Sequence, residues 1–297
     1  LAIAARDRSR AEKMADWAGI QHVADDYQAV IDHPDCNAIY IPLPITAHHE
    51  WTLKALEAGK HVLCEKSIAA NAAEASEMAD AARDKGLVLL EAFHYRYHPC
   101  FLRAREIFNS GVLGDIETIE AGFCMKGPPP ESDIRMQYST GGGTTMDLGC
   151  YPISWVRHLM DDEPVEVTAT AVEGPPDVDL RLFTEMKFAN GVTAKTRGDM
   201  GPDATFEMAF EVTGSAGKLR VQQPLVPQIG HSIEVTVDGE TTREMKDRRS
   251  TYGYQLDAFI RAVEHGEAQP TDADDGVKQM QLIDRCYEAA GMRLRGQ

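Results

Sequence analysis

Through the first 93 positions the apolar residues come in short unbroken runs: LAIAA (1–5), AIYIPLP (38–44), HVLC (61–64) and LVLLEAF (87–93). Runs of strand length without alternation suit strands buried on both faces. The segments between them carry helix punctuation. Ser9 with Glu12 reads as a capping box and Gly19 as the stop; a second helix runs from about His48 to Ala58 and ends at Gly59. Asn71 with Glu74 opens a third, which runs to Lys85 before Gly86. Strands alternating with helices predict a parallel sheet with helices on both faces.

After Pro99 the pattern changes. One helix (101–109) leads into IETIEAGFCMK, then a polar loop rich in Gly and Pro (127–145). VEVTATAVE, LRLFTEMKFA, VTAKTRGDM, TFEMAFEVTG, KLRVQ and SIEVTVDG follow, joined by short turns that include the hairpin signal Asn190–Gly191. In FEMAFEV the residues Phe206, Met208, Phe210 and Val212 share one face, which predicts an antiparallel sheet with a packed side and an open side. Two helical segments close the chain. The expected architecture is α/β followed by α+β: a Rossmann-type parallel sheet over 1–93, then a domain over 94–297 with an open, mainly antiparallel sheet backed by helices.

A length of 297 residues suits two domains. The charge balance, 30 − 47 = −17, argues against nucleic-acid or anionic-membrane partners, which need clustered positive charge. No run of 18 apolar residues occurs. The six cysteines are scattered without metal-ligand spacing, so no metal site is expected. Four of them lie in apolar or aromatic surroundings, which reads as reduced, buried thiols in a cytoplasmic protein.

Candidate chemistry sits where strands end. HVLC stops on Glu65 and Lys66. An ammonium is costly inside a strand, but at the carboxyl end of an open α/β sheet it meets the ligand crevice; the plain alternative is a snorkelling lysine at a sheet edge. Arg6 follows the first run, where a ribose-binding acid would stand in a dinucleotide fold. A cation there suits a 2′-phosphate and therefore NADP, unless it is only a solvated surface arginine. His48 and His49 are adjacent and make a poor metal pair; one is expected to line the crevice. In MDLGCYPISWVRHLM (146–160), Asp147 and Tyr151 are four apart at a helix start, with Ile153, Val156 and Met160 continuing a buried stripe. Taken alone, Asp147 could be a helix cap and Tyr151 a half-buried aromatic. No GxGxxG turn is present; GGG at 141–143 precedes no βαβ unit.

Together these segments resemble the glucose–fructose oxidoreductase/inositol dehydrogenase/MocA (Gfo/Idh/MocA) family. AGKHVLCEKS (58–67) is similar to its AGKHVxxEKP segment, and LPITAH (43–48) to its PNxxH segment. EAFHYRYHP (91–99), GGGTTMDLGCY (141–151) and STYGYQLDAF (250–259) resemble the branch of dihydrodiol and sugar dehydrogenases. The resemblance covers essentially the whole chain, minus the glycine loop and its strand, so the chain as given is expected to lack one strand–turn–helix unit and to bind cofactor weakly.

The resemblance implies a dehydrogenase dependent on NADP, with NAD possible, acting on an aldose or vicinal diol. It implies Lys66, Asp147 and Tyr151 as catalytic residues, and Arg6, Leu43, Pro44, His48, Glu65, Lys66 and Arg96 around the cofactor. Arg96, with Lys66, Asp147 and Tyr151, would also meet the substrate. Tyr151 would be general base, its pKa lowered by Lys66, and the chain would form a homodimer or homotetramer through the C-terminal sheet. Other readings of the same fold are a non-catalytic NADP-responsive regulator and a cofactor-assisted glycosidase. Two departures matter. Ser67 replaces the family proline, so no cis bond is expected after Lys66, and Ile45 replaces an asparagine at the cofactor. Tyr151 stands where inositol dehydrogenases carry histidine.

Overall fold

A computed structural model describes residues 1–297. The first part alternates strand and helix: β1 (Ala2–Ile3), α1 (Arg8–Ala18), β2 (His22–Val23), α2 (Tyr27–Ile31), β3 (Ala38–Ile41), α3 (His48–Glu57), β4 (His61–Cys64), α4 (Ala72–Lys85) and β5 (Leu89–Glu91), of which the short β2 and α2 correspond to no apolar run read from the sequence. Every pairing among these strands is parallel. The strands lie in two pieces, β1–β2 and β3–β4–β5. Gly19 and Gly86 close their helices in the left-handed conformation, and Asn71 caps α4 as expected. The start of α1 differs: Asp7, not Ser9, is the cap, because its carboxylate reaches both the backbone N–H and the hydroxyl of Ser9.

The second part begins with α5 (Pro99–Asn109) and β6 (Ile116–Cys124), and then α6 (Cys150–Met160). β7 (Glu166–Glu173), β8 (Asp179–Lys187), β9 (Thr193–Asp199), β10 (Glu207–Gly214), β11 (Gly217–Gln222), β12 (Ser232–Val237) and β13 (Glu240–Glu244) complete one sheet, followed by α7 (Thr251–His265) and α8 (Ala273–Ala289). The strand order is β13-β12-β11-β10-β6-β9-β8-β7. All neighbours are antiparallel except β6 and β9, which run parallel because the β7–β8–β9 meander returns beside β6 after the α6 crossover.

Alternation sorts the sheet's two faces. In β8, Leu182, Thr184 and Met186 are buried, while Phe183, Glu185 and Lys187 are exposed. Met208, Phe210 and Val212 follow the predicted face, but Phe206 precedes β10 and is exposed. Helices α5, α6 and α8 cover the packed face, and α8 also lies against α4 of the parallel layer. A single cluster of 50 buried residues runs through both parts, so the two layers share one core. All six cysteines are free and buried, and no helix is long and apolar enough to cross a membrane.

Candidate active site

Strands β3 and β4 end side by side, and the chain leaving each turns toward the larger sheet. Between them and the 134–147 segment lies an open cleft of about 280 Å³ whose walls include Leu43, Pro44, Glu65, Lys66, Gly141–Gly143 and Asp147. Its position matches the general rule that ligands bind outside the carboxyl ends of parallel strands. Pro42 and Pro44 stop β3 from continuing, so the backbone is free to line the cleft.

The Lys66 ammonium donates to the Asp147 carboxylate at 2.8 Å and to the Asp147 carbonyl at 2.7 Å. The other carboxylate oxygen of Asp147 accepts from Arg135 Nε at 2.6 Å. Asp147 rides on a single π turn, Thr145–Gly149, immediately before α6, and this turn aims its side chain at the strand end. Burial would push the Lys66 ammonium toward neutrality, but Asp147 more than offsets that and its pKa rises. Burial would likewise raise the Asp147 carboxyl, and the two cations hold it below its ordinary value.

Tyr151, on the first turn of α6, is buried among Phe93, Tyr95, Phe123 and Trp155. Lys66 Nζ stands 5.2 Å from the centre of its ring. The pKa expectation for this residue is overturned. Burial pushes the phenol well above its ordinary value, reinforced by the nearby Cys150 and Glu65 groups. Lys66 does not offset this: its ammonium is bound to Asp147 and stands 5.2 Å from the ring centre.

Other expected residues divide. Leu43, Pro44 and Glu65 line the cleft, and Glu65 accepts from the Tyr40 hydroxyl at 2.6 Å. His48 is fully buried behind it, with Nδ1 at 2.9 Å from the Ser67 carbonyl and Nε2 at 2.8 Å from the Leu43 carbonyl. It packs between the two cleft-lining turns rather than facing the crevice; burial lowers its pKa, and the neutral ring donates its single N–H to one of the two carbonyls at a time. Arg96 is buried away from the cleft lining, with its guanidinium 5.5 Å from the Phe101 ring and Nε without a partner. Arg6 is exposed just past β1, outside the cleft lining. The Lys66–Ser67 peptide bond is cis, against expectation. Ser67 is fully buried, its carbonyl beside His48 Nδ1 and its hydroxyl donating to the Met146 carbonyl.

Two participants carried no readable signal: Arg135 lies in a polar loop, and Tyr40 looks like an ordinary strand residue. Tyr252 lies in the STYGYQLDAF segment but is not singled out by it; it sits on the first turn of α7, nearly 190 positions after Lys66. Tyr252 lines the cleft and stacks on His94 with ring centres 4.2 Å apart. His94 Nδ1 is buried without a partner, and burial, then the Lys66 charge, hold the ring's pKa down at about 3.

Comparison with known proteins adds what geometry alone does not. The family described as "Oxidoreductase family, NAD-binding Rossmann fold" matches residues 1–93, and "GFO/IDH/MocA C-terminal domain" matches residues 101–220. A D-xylose 1-dehydrogenase (NADP(+)) from Haloferax volcanii is 34% identical over 97% of this chain and 89% of its own length. A dTDP-3,4-didehydro-2,6-dideoxy-alpha-D-glucose 3-reductase from Actinomadura kijaniata is 30% identical over 95% of this chain and 85% of its own. Among solved structures, a 3-ketoreductase from Actinomadura kijaniata in complex with NADP and TDP-benzene superposes with a TM-score of 0.85 at 28% identity, covering 95% of this chain and 87% of its own. An aldose-aldose oxidoreductase from Caulobacter crescentus complexed with glycerol superposes with a TM-score of 0.88 at 24% identity, covering 98% and 89%, and shares the fold.

Proposed function

The chain belongs to the Gfo/Idh/MocA oxidoreductase family, and from that premise we propose that it is an NADP-dependent dehydrogenase acting on a hydroxyl-bearing carbon of an aldose or vicinal diol. The observation that carries the reading is the Lys66–Asp147 pair at the end of β4, inside a cleft bounded by both parts of the fold. The residues present fit a dinucleotide's reactive end: Leu43 and Pro44 supply an apolar wall for a flat ring, and Glu65 and Lys66 supply polar partners for ribose hydroxyls. When bound, the nicotinamide supplies the two-electron acceptor or donor. The relatives named for NADP support that form of the cofactor, and Arg6 is the cation read as meeting the 2′-phosphate.

The chain's own residues then handle the proton and the orientation. Lys66, held charged by Asp147, donates a hydrogen bond to the reacting oxygen. In oxidation the minor phenolate form of Tyr151 takes the hydroxyl proton as the hydride leaves; in reduction the phenol, kept protonated at rest by its raised pKa, gives the proton to the carbonyl oxygen. Two loaded donors suit delivery of a proton to a carbonyl oxygen, so reduction of a sugar aldehyde or ketone is the second reading.

A panel of aldoses, diols and keto-sugars, followed by nicotinamide absorbance in both directions, tests the assignment. Turnover of a sugar in either direction is the expected result; cofactor binding without turnover of any of them leaves the regulatory reading in its place. Arg6→Ala should raise the Michaelis constant for NADP roughly 10- to 150-fold, the worth of a charge-assisted contact, and leave that for NAD nearly unchanged. Equal effects on both would end the role given to Arg6.

A further inference from the structure

Arg295, two residues from the last position described, is fully buried. Its Nε donates to the Gly142 carbonyl at 2.7 Å, and an Nη atom donates to Asp179 Oδ1 at 2.7 Å. The guanidinium lies between the rings of Tyr138 and Tyr287, at 5.3 and 4.3 Å from their centres. A planar fork that makes three directed bonds, the third to the Arg293 carbonyl at 2.9 Å, beside two aromatic rings is an arrangement lysine does not reproduce.

What Asp179 does next gives the arrangement its meaning. Its other oxygen accepts from the Thr145 backbone N–H at 2.7 Å and from the Thr145 hydroxyl at 2.6 Å. Thr145 is the first residue of the π turn that carries Asp147. Gly142 and Gly143 line the cleft, and the Gly143 N–H donates to the carbonyl of Arg135, whose guanidinium holds Asp147. From the same stretch of chain, the Arg295 carbonyl accepts from Asn71, the cap of α4 in the parallel layer, and the Tyr138 hydroxyl donates to the Leu294 carbonyl. The tail is therefore a strap across both layers, with its one buried charge aimed at the back of the catalytic turn.

We propose that Arg295 is a positioning residue for the reaction: through Asp179 and Gly142 it holds the turn 142–147 so that Asp147 meets Lys66. The proposal rests on the dehydrogenase reading for its kinetic consequences but not for its structural one. Arg295 touches neither the cleft nor Lys66; it acts through Asp179, Thr145 and Gly142.

Two variants of the full chain test it, Arg295→Lys and Thr145→Val. The second removes one donor to Asp179 and no tail contact. Hydrogen exchange of the amides at 143–149 is the readout that does not need activity. In folded Arg295→Lys these amides should exchange roughly 10- to 150-fold faster, the factor that goes with one hydrogen bond to a charged group, while those of β10 and β11 stay unchanged. Thr145→Val should loosen the same amides by a smaller factor. Turnover should fall with the Michaelis constant for NADP nearly unchanged. The alkaline limit of activity should also move to lower pH, because Lys66 without a well-placed Asp147 loses its proton more easily. Unchanged exchange at 143–149 in a folded Arg295→Lys overturns the proposal, as does loosening spread evenly over β10 and β11. If Arg295→Lys does not fold, Thr145→Val decides: unchanged exchange at 143–149 overturns the proposal. A chain that turns over no sugar, yet shows the predicted local loosening, refutes the dehydrogenase reading and leaves the strap standing.

Discussion

Lys66 and Asp147 hold each other charged, and the signs of their shifts set how acid and alkali act on the fold. The Asp147 carboxyl is lowered, so its contribution is present above the ordinary carboxylate value of about 3.9 and is lost as pH falls through the lower folded value. The Lys66 ammonium is raised, so its contribution is complete below about 10.4 and is lost as pH rises through the higher folded value. Lys66→Met leaves Asp147 with Arg135 alone, so the acid side of a urea-stability profile should move to higher pH. An unmoved acid limb would mean that Arg135 alone holds the carboxylate. Tyr151→Phe removes only the hydroxyl and should keep the fold while turnover falls by about 10²–10⁴. Since the phenol is held protonated, the oxidation rate should rise with no plateau below about pH 10. The Lys66→Met, Tyr151→Phe double variant should be little worse than either single one if both act on the same oxygen; additive losses would assign them separate steps.

At the scale of elements, the boundaries marked by Gly19, Asn71 and Gly86 were legible, whereas the caps Asp7 and Asp26 were not read. Asn71 accepts from the Glu74 N–H at 3.0 Å and also donates to the Arg295 carbonyl. Asn71→Ala should therefore cost more than the ~1 kcal/mol of a lost cap, which at about 2–4 °C per kcal/mol is readable in a melting curve. A loss no larger than that of a cap alone would mean the tail bond adds little. Gly143 shows why its loop was not readable. At φ +131° a Cβ would fall 2.1 Å from Asp179 Oδ1, so Gly143→Ala should empty the cleft of its ordered wall and abolish turnover in a chain that still folds. In sequence, GGG looks like any flexible tract; its neighbours are Asp179 and Arg295, supplied from more than 30 and 150 positions away. Distance also hid the parallel β6–β9 pairing and the Ser67 contact that encloses His48, whereas the α1 cap is local: Asp7 and Ser9 both suit the role, and the carboxylate takes it. Lys66 and Asp147 were legible because each sits where a strand or helix begins or ends, and such places have local signatures.

For the whole molecule, the open face of the large sheet is the surface to test. It carries a shallow depression of about 370 Å³ flanked by Phe183, with charge pairs Lys195–Glu185 and Arg197–Glu207 beside it. A half-apolar sheet face suits a second copy of the chain. Light scattering at micromolar concentration should give twice or four times 32.7 kDa, and Phe183→Lys should shift it toward the monomer. A wild-type monomer would count against the association.

The contact of α8 with α4 has a consequence in time. Ala75, Met78, Ala79 and Ala82 on α4 are buried, and α8 (Ala273–Ala289), which covers that helix, leaves the ribosome roughly 200 positions after it. At 5–20 residues per second that interval is on the order of 10–40 s. A nascent chain stalled before Ala273 should stay open to protease within 72–85, and one stalled after α8 has cleared the exit tunnel should not. Protection of 72–85 in the shorter chain would mean that the parallel layer closes without its late partner.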